Sequence, residues 1–228
     1  MTTQIDHLVI AANTLQEGVT WCERTLGITP GPGGEHPLMG THNRLFSIAT
    51  AQYPRAYFEI IAINKEAACA RIHSAKRWFD LDNEALQTHV QQYGPQLTHF
   101  VASTPQVAPA IQALASLDID RGELLSASRK TAQGLLSWQI TVRVDGQRLL
   151  NGTLPTLIEW GDVHPTQHMA ASGVTLLTLT ASQPDVAQLT AAYSAIKLQN
   201  VAVAQGPANL VATLQTPRGI VALESKGL

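Results

Sequence analysis

Short apolar segments followed by helix-start residues recur three times along the chain. They are DHLVIAANTLQEGVTWC, THFVASTPQVAPAIQAL and LTLTASQPDVAQLTAAY, which begin at residues 6, 98 and 177. In each, a strand-like run meets Ser, Thr or Asn, the residues that cap helix N-termini. Apolar residues then recur at helical spacing. The pattern predicts a strand–helix unit that is repeated within one chain.

After each predicted helix the pattern changes to that of strands. The first unit continues with NRLFSIAT and AYFEIIAI, the second with GELLSASRKT, GLLSWQITVRV and PTLIEWG, and the third with NVAVAQG, NLVATLQT and GIVALES. We therefore predict an α+β fold of repeated βαβββ modules that form curved mixed β-sheets around a cup. The predicted divisions are module one at 1–63, a helical linker at 64–95, module two at 96–162 and a degenerate third module at 172–228.

Composition narrows the class of protein. The chain has 228 residues, of which 45% are hydrophobic and 14% charged, with a net charge of −2. This excludes a disordered chain and leaves no basic excess for nucleic acid. The sequence shows neither a signal-peptide pattern nor an apolar run that spans a bilayer. Cys22 and Cys69 have no CxxC neighbour and fit reduced thiols, so we expect a cytoplasmic protein.

Four ionisable residues occupy matching places in the first two modules. His7 and His99 lie on the first strands, and Glu59 and Glu159 lie on the last strands. Because side chains alternate along a strand, His7 is expected to share a face with Ile5 and Val9. By the same count, His99 is expected to share a face with Leu97 and Val101, and Glu159 with Leu157. Two imidazoles and two carboxylates suit a divalent metal ion, and the carboxylates suit proton transfer.

Several stretches resemble known proteins. The opening IDHLVIAANTLQEGVTWCERTLGI is similar to the start of many members of the vicinal oxygen chelate superfamily, which includes glyoxalase I, extradiol dioxygenases and bleomycin-resistance proteins. More specifically, GGEHPLMGTHNRLFSI, YFEIIAI, RWFDLD and LPTLIEWGD resemble the glyoxalase-like domain family, over residues 4–162. The resemblance implies a cup in which modules one and two face each other. It also implies substrate-binding roles for His36, Thr41, Asn43, Arg129, Trp138 and Trp160.

Two functions follow from this resemblance. The first is a metal-dependent lyase or isomerase, or an oxygenase, that acts on a small oxygen-bearing substrate. His7, Glu59, His99 and Glu159 would hold the ion, and a glutamate would move a proton. The alternative is a cup that sequesters a small molecule without metal, as bleomycin-resistance proteins do. The fold pairs its modules, and this chain has three of them. A homodimer and a cup that closes within one chain therefore both remain possible arrangements.

Overall fold

The computed structural model describes residues 2–67, 75–131 and 134–228, and of Thr131 only the backbone. Cys69 therefore lies outside the described residues. Within them, twelve strands and four α-helices are present, which confirms the predicted α+β class. No helix in this part of the chain is long and apolar enough to cross a membrane.

The first unit follows the predicted order of elements. It comprises β1 (Gln4–Ala11), α1 (Leu15–Leu26), β2 (Glu35–His36), β3 (Thr41–Ser47) and β4 (Tyr57–Ile63). The hydroxyl of Thr14 caps α1 by accepting a hydrogen bond from the Glu17 N–H, as the sequence pattern predicts. The helix ends at Gly27, whose φ of 77° is left-handed and favours glycine.

The second unit is preceded by the helix α2 (Glu84–Tyr93), which the Asn83 side chain caps. The unit itself comprises β5 (Gln96–Ser103), α3 (Val107–Ala115), β6 (Glu123–Thr131), β7 (Gly134–Val142) and β8 (Thr156–Trp160). The third unit comprises β9 (Thr175–Gln183), α4 (Val186–Ala195), β10 (Val201–Gln205), β11 (Asn209–Thr216) and β12 (Gly219–Glu224).

The first two units share one curved sheet with the strand order β2-β3-β4-β1-β5-β8-β7-β6. At its centre β1 and β5 are antiparallel, and Leu8 lies opposite Phe100. The pairs on either side are His7 with Val101 and Val9 with His99. A local two-fold relation therefore exchanges the two halves and makes His7 the counterpart of His99, and Val9 the counterpart of Val101.

Apolar side chains form a layer on each face of this sheet. On the convex face, residues such as Leu8, Ile60 and Leu157 belong to a large cluster that includes side chains of α1 and α3. On the concave face, Val9 and Ile61 belong to a second cluster. Side chains of residues 78–81 and of α2 join this second cluster, so they fill part of the cup and leave the rest open.

The third unit repeats the order of elements but not the pairing of strands. Its sheet has the order β10-β9-β11-β12, and its first strand is parallel to its second. In the other two units the first strand is parallel to the last. The apolar face of the third unit packs on the convex side of the same chain, where the Tyr193 hydroxyl donates to the Thr153 carbonyl at 2.6 Å. The homodimer stays a prediction.

Candidate functional site

A β-bulge at Asp6 shapes the first half of the cup. Pairing with β5 passes from Ile5 opposite Ala102 directly to His7 opposite Val101, which leaves Asp6 as the extra residue. As a result Ile5 packs in the convex cluster, whereas His7 lines the inner part of the cup. The expectation that Ile5 shares a face with His7 is wrong, because it assumed regular alternation.

His7 lies between two buried carboxylates. Its Nδ1 is 2.7 Å from Oδ1 of Asp6, and its Nε2 is 3.5 Å from Oε2 of Glu59. The ring stacks on Tyr57 with the centroids 4.4 Å apart. Burial acts to lower the pKa of His7, but the hydrogen bonds and charges of Asp6 and Glu59 outweigh it and raise the pKa to about 9. The imidazole is therefore a cation at neutral pH.

Both carboxylates stay ionised because polar neighbours compensate for their burial. Burial acts to raise the pKa of Glu59, yet His7 and the Asn43 amide hold it below the usual value. The pKa of Asp6 is likewise lowered, since hydrogen bonds from His164 and His7 outweigh burial. Two anions thus surround one buried cation.

Three predicted substrate-binding residues form the wall that orients Glu59. The Asn43 amide donates to Oε1 of Glu59 at 2.6 Å, and its carbonyl oxygen accepts from the Gly34 N–H at 2.8 Å. His36 Nδ1 is 3.0 Å from the Thr41 hydroxyl, and its Nε2 is 3.4 Å from the Asn43 amide nitrogen. Burial lowers the pKa of His36 to about 4, so this ring is neutral.

His99, the counterpart of His7, is enclosed by backbone. Its Nδ1 lies 2.8 Å from the Gly152 carbonyl, and its Nε2 accepts from the Thr156 N–H at 3.1 Å. Since that N–H can only donate, the ring proton resides on Nδ1. Burial, followed by the charges of Arg121 and Arg148, holds the pKa of His99 well below its usual value. Neither ring nitrogen is free to ligate a metal ion.

A second irregularity lies beside His99. The β1–β5 register shifts between Val9 opposite His99 and Ile10 opposite Leu97. Leu97 consequently packs in the convex cluster, whereas Val101 packs in the concave one. The expectation that His99 shares a face with both Leu97 and Val101 is therefore wrong for Leu97.

Glu159 does not meet Glu59. It shares the convex face with Leu157, as predicted, and its Oε2 accepts from the Val107 N–H at 2.7 Å, at the start of α3. The two-fold relation explains the mismatch: Val9 lies beside Glu59, and its counterpart Val101 lies beside Thr156. The counterpart of Glu59 is therefore Thr156, three residues before Glu159.

The predicted four-residue metal set is thus not assembled. The structure brings His7 and Glu59 together, but His99 is hydrogen-bonded to backbone and Glu159 caps a helix. Among the described residues, no group of three or more His, Cys, Asp or Glu side chains is arranged to hold a metal ion.

Two residues of the site, Asp6 and His164, are not among those predicted from the sequence. Asp6 accepts hydrogen bonds from Nε1 of Trp160 at 2.8 Å and from His164, whose Nε2 is 3.0 Å away. An acidic residue inside the apolar run beside His7 is the signal that could have identified Asp6. His164 lies in a segment of linker composition, where its sequence gives no such signal.

The cup contains two adjoining cavities. The outer one has a volume of about 620 Å³ and a mainly apolar lining that includes Leu38, Met39, Leu125 and Trp138. The inner one, of about 40 Å³, is lined by residues that include His7, Tyr57, Glu59 and Trp160. Both cavities are lined by His36, Trp78, Arg129, Trp138 and Ile140. This arrangement gives a ligand-sized space with charged groups at its inner end.

The chain as a whole is similar to a known protein family. The family model described as a glyoxalase-like domain matches residues 5–196. The chain belongs to the glyoxalase-like domain family. This confirms the resemblance to the vicinal oxygen chelate superfamily. The match extends past residue 162, where the recognised motifs end, and reaches the third unit of this glyoxalase-like protein.

One solved structure supports the fold, and two others are more weakly similar. A hypothetical protein from Staphylococcus aureus is similar, with a TM-score of 0.60 and 14% identity over 90% of this chain and 87% of that one. A Streptomyces coelicolor methylmalonyl-CoA epimerase variant bound to 2-nitronate-propionyl-CoA has a TM-score of 0.44 and 16% identity, and the match covers 72% of this chain and 99% of that one. The Mycobacterium tuberculosis methylmalonyl-CoA epimerase has a TM-score of 0.39 and 12% identity, and the match covers 72% of this chain and 90% of that one. A search of curated proteins gave no match.

Proposed function

We propose that this glyoxalase-like protein is an enzyme that moves a proton on a small oxygen-bearing substrate, as a lyase or isomerase does. The observation that carries the proposal is the ionised Glu59 carboxylate in the wall of the inner cavity, held by Asn43 at 2.6 Å and by His7 at 3.5 Å. A carboxylate that is buried, oriented and placed in the wall of a cavity that adjoins a ligand-sized space is a candidate proton acceptor.

The neighbours of Glu59 supply the remaining requirements for proton abstraction. Removal of a proton from a carbon next to a carbonyl leaves negative charge on the substrate oxygen. The His7 imidazolium and the Arg129 guanidinium both line the inner cavity and stabilise such a charge. Asp6 fixes the ring of His7 by accepting from Nδ1 at 2.7 Å. Glu59 then returns the proton to a neighbouring atom for isomerisation, or to a leaving group for elimination.

The metal ion that the superfamily suggests does not fit the residues present. Both nitrogens of His99 are hydrogen-bonded to the main chain, and Glu159 faces away from the cup toward α3. The proposed chemistry therefore rests on Glu59 and His7, and no step requires a metal ion bound between the two halves.

A second candidate is a sequestering protein that binds its ligand without changing it. The large outer cavity favours this function, because its lining is mainly apolar and Trp138 offers a stacking surface. Hydrophobic pockets with few polar groups are typical of ligand binding as well as of catalysis. The two candidates differ in whether Glu59 touches a reacting proton.

Deuterium exchange distinguishes them. The protein is incubated in D₂O with pyruvate, 2-oxobutyrate or phenylpyruvate, and loss of the C3 proton signal is followed by NMR. We expect exchange faster than in buffer for at least one acid, unchanged by a chelator and reduced about 10²-fold or more in Glu59→Gln. Glu159→Gln is the matched control and should keep the exchange rate. Saturable binding without exchange above buffer would instead identify the sequestering function.

A further inference from the structure

We propose that Trp78 and Arg129 form a carboxylate-binding subsite at the junction of the two cavities, and that the ligand is a small carboxylate with a flat apolar body. The inference deepens the proposed function, because it names the class of substrate for the same cup. It rests on hydrogen-bond donors that the protein leaves unpaired, on the way each side chain is held, and on the lining of the outer cavity.

Unpaired donors are concentrated at this junction. Trp78 is 7% exposed, and its indole N–H has no hydrogen-bond partner among the described residues. Nε and Nη1 of Arg129 are buried and also have none. Both side chains line both cavities. Buried donors are nearly always paired in native proteins, so three of them on two cavity-lining side chains indicate a missing acceptor.

Packing fixes the position of Trp78. Its ring stacks on Phe79, with the centroids 5.2 Å apart, and meets His36 edge-on at 5.0 Å. Trp78 lies in the RWFDLD stretch that resembles the family, and its residue type predicts a packing role. Its place in the concave cluster shows that the ring packs like a core residue, whereas its N–H is left without the partner that a buried indole usually has.

The backbone that carries Trp78 is strained and tightly held. The next two residues, Phe79 and Asp80, have φ values of 58° and 57°, which are unusual for residues other than glycine. Asp80 accepts from Nε of Arg148 at 2.9 Å, and its N–H donates to the Gly146 carbonyl at 2.9 Å. Such strain persists only where surrounding contacts impose it, and it is concentrated at ligand-binding sites.

Arg129 is seated against glycine rather than against an acid. A Cβ added to Gly34 would lie 1.7 Å from Nη1 of Arg129, so the guanidinium occupies the space that a side chain would need. No carboxylate among the described residues pairs with Arg129. Glu59 and Asp6, the acids of the inner site, are already engaged by His7 and by their own hydrogen bonds. The planar fork of N–H groups on Arg129 matches a carboxylate supplied by the ligand.

The outer cavity selects the rest of the ligand. Its apolar lining includes Leu38, Met39, Leu125, Trp138 and Ile140, and its volume of about 620 Å³ suits an aryl or branched alkyl group. With the carboxylate at Arg129 and Trp78, the apolar body of the ligand extends outward into this cavity.

Two matched probes test the subsite on the complete protein. Phenylacetate and phenylacetamide have the same ring and shape, and binding of each is measured by calorimetry or NMR titration. We expect phenylacetate to bind at least tenfold more tightly than the amide. Arg129→Leu should abolish this preference, and Lys130→Leu, which removes an exposed charge from the next position of β6, should keep it. Equal affinity for the two probes, or binding of neither, would overturn the proposal.

Two further variants separate a binding role from a structural one. Trp78→Phe keeps an aromatic ring but lacks the N–H, and we expect it to weaken phenylacetate binding about three- to tenfold. Gly34→Ala keeps the charge of Arg129 but displaces its guanidinium, with a similar loss. Because Arg129→Leu removes unpaired donors, its melting temperature should stay level or rise, whereas Trp78→Phe should lower it slightly because the smaller ring packs less well. A lower melting temperature with unchanged selectivity would show that the residues are structural.

The two proposals share Arg129, but Glu59 distinguishes the outcome of one from the outcome of the other. Glu59→Gln should retain selective phenylacetate binding even though exchange is lost. Selective binding without exchange in the wild-type protein would contradict the chemistry alone. Exchange without carboxylate selectivity would contradict the subsite alone.

Discussion

The two halves of the cup share a backbone plan but differ in their polar interior. In the first half, His7 lies between Asp6 and Glu59 and is a cation. In the second, His99 lies between the Gly152 carbonyl and the Thr156 N–H and is neutral. The same residue type at equivalent positions thus has opposite protonation, because the neighbours differ. The repeated strand arrangement thus preserves the geometry of the backbone but not the chemistry of the side chains.

The residue next to each imidazole explains the contrast. Glu59 in the first half is replaced at the equivalent position by Thr156, whose hydroxyl is 3.0 Å from His99 Nε2. That hydroxyl also accepts from the fully buried Arg121, which donates from Nε to the Pro155 carbonyl at 2.8 Å. One half therefore surrounds its imidazole with anions, and the other places a cation near it.

The largest expected difference between the halves is catalytic. His7→Gln removes the cation between two buried carboxylates, so we expect deuterium exchange to fall about 10- to 100-fold. His99→Gln leaves Glu59 and its neighbours in place and should keep the exchange rate within about threefold per folded molecule. Exchange rates normalised to the folded fraction measure both. Equal losses in the two variants would mean that the halves act as one unit.

The second-largest expected effect is on stability, and here the second half of the cup is the more sensitive one. His99→Ala leaves the Gly152 carbonyl and the Thr156 N–H buried without partners, which should lower the free energy of unfolding by about 2–4 kcal/mol. Urea denaturation provides the measurement. A loss below about 0.5 kcal/mol would show that water replaces the imidazole and that His99 is not a structural anchor.

The pH dependence of stability should separate the two histidines. Folded His7 has a pKa of about 9 against 6.5 for the unfolded chain, so stability falls as pH rises from 6.5 to 9, by up to about 1.4 kcal/mol per unit. His99 has a lowered pKa, so the unfolded chain binds more protons and stability falls as pH drops below 6.5. His36 acts in the same window, with a pKa of about 4.

Unfolding curves across pH test this assignment. His7→Gln should remove the decline above pH 6.5, and His99→Gln should remove part of the decline below it. If His7→Gln altered only the acidic side, the assignment of a protonated His7 would be contradicted.

The smallest effect concerns Glu159. Its carboxylate accepts from the Val107 N–H at the start of α3, so Glu159→Ala should cost about 0.5–2 kcal/mol, in the range of helix caps. Phenylacetate binding and deuterium exchange should not change. Thermal unfolding measures the stability, and a binding titration and the exchange assay measure the other two quantities. Any loss of exchange per folded molecule would show that Glu159 belongs to the functional site.

The sequence supported much of the fold because its cues are local. Thr14 and Asn83 cap the helices that follow them, as their residue types predict. His7 and Glu59 meet as predicted because the register of β1 and β4 is regular from His7 onward, so the strand alternation read from the sequence holds there. These features depend on residue type and period, which the sequence displays directly.

The remainder depends on irregularities that the sequence does not display. The bulge at Asp6 and the register shift beside His99 change which face a side chain occupies, and strand alternation alone does not locate them. Matching Glu159 to Glu59 by place in the repeat misses an offset of three residues in the second unit, and an odd offset also changes the face of the strand. The third unit has the predicted order of elements but another strand order, because pairing is decided by non-local contacts.

Metal analysis of the protein as purified, with His99→Ala in parallel, tests the central claim that the chemistry belongs to one half of the cup. The account predicts no stoichiometric divalent ion that depends on His99, and exchange that survives a chelator. A stoichiometric ion that is present in the wild-type protein and lost, together with exchange, in a folded His99→Ala variant would contradict it.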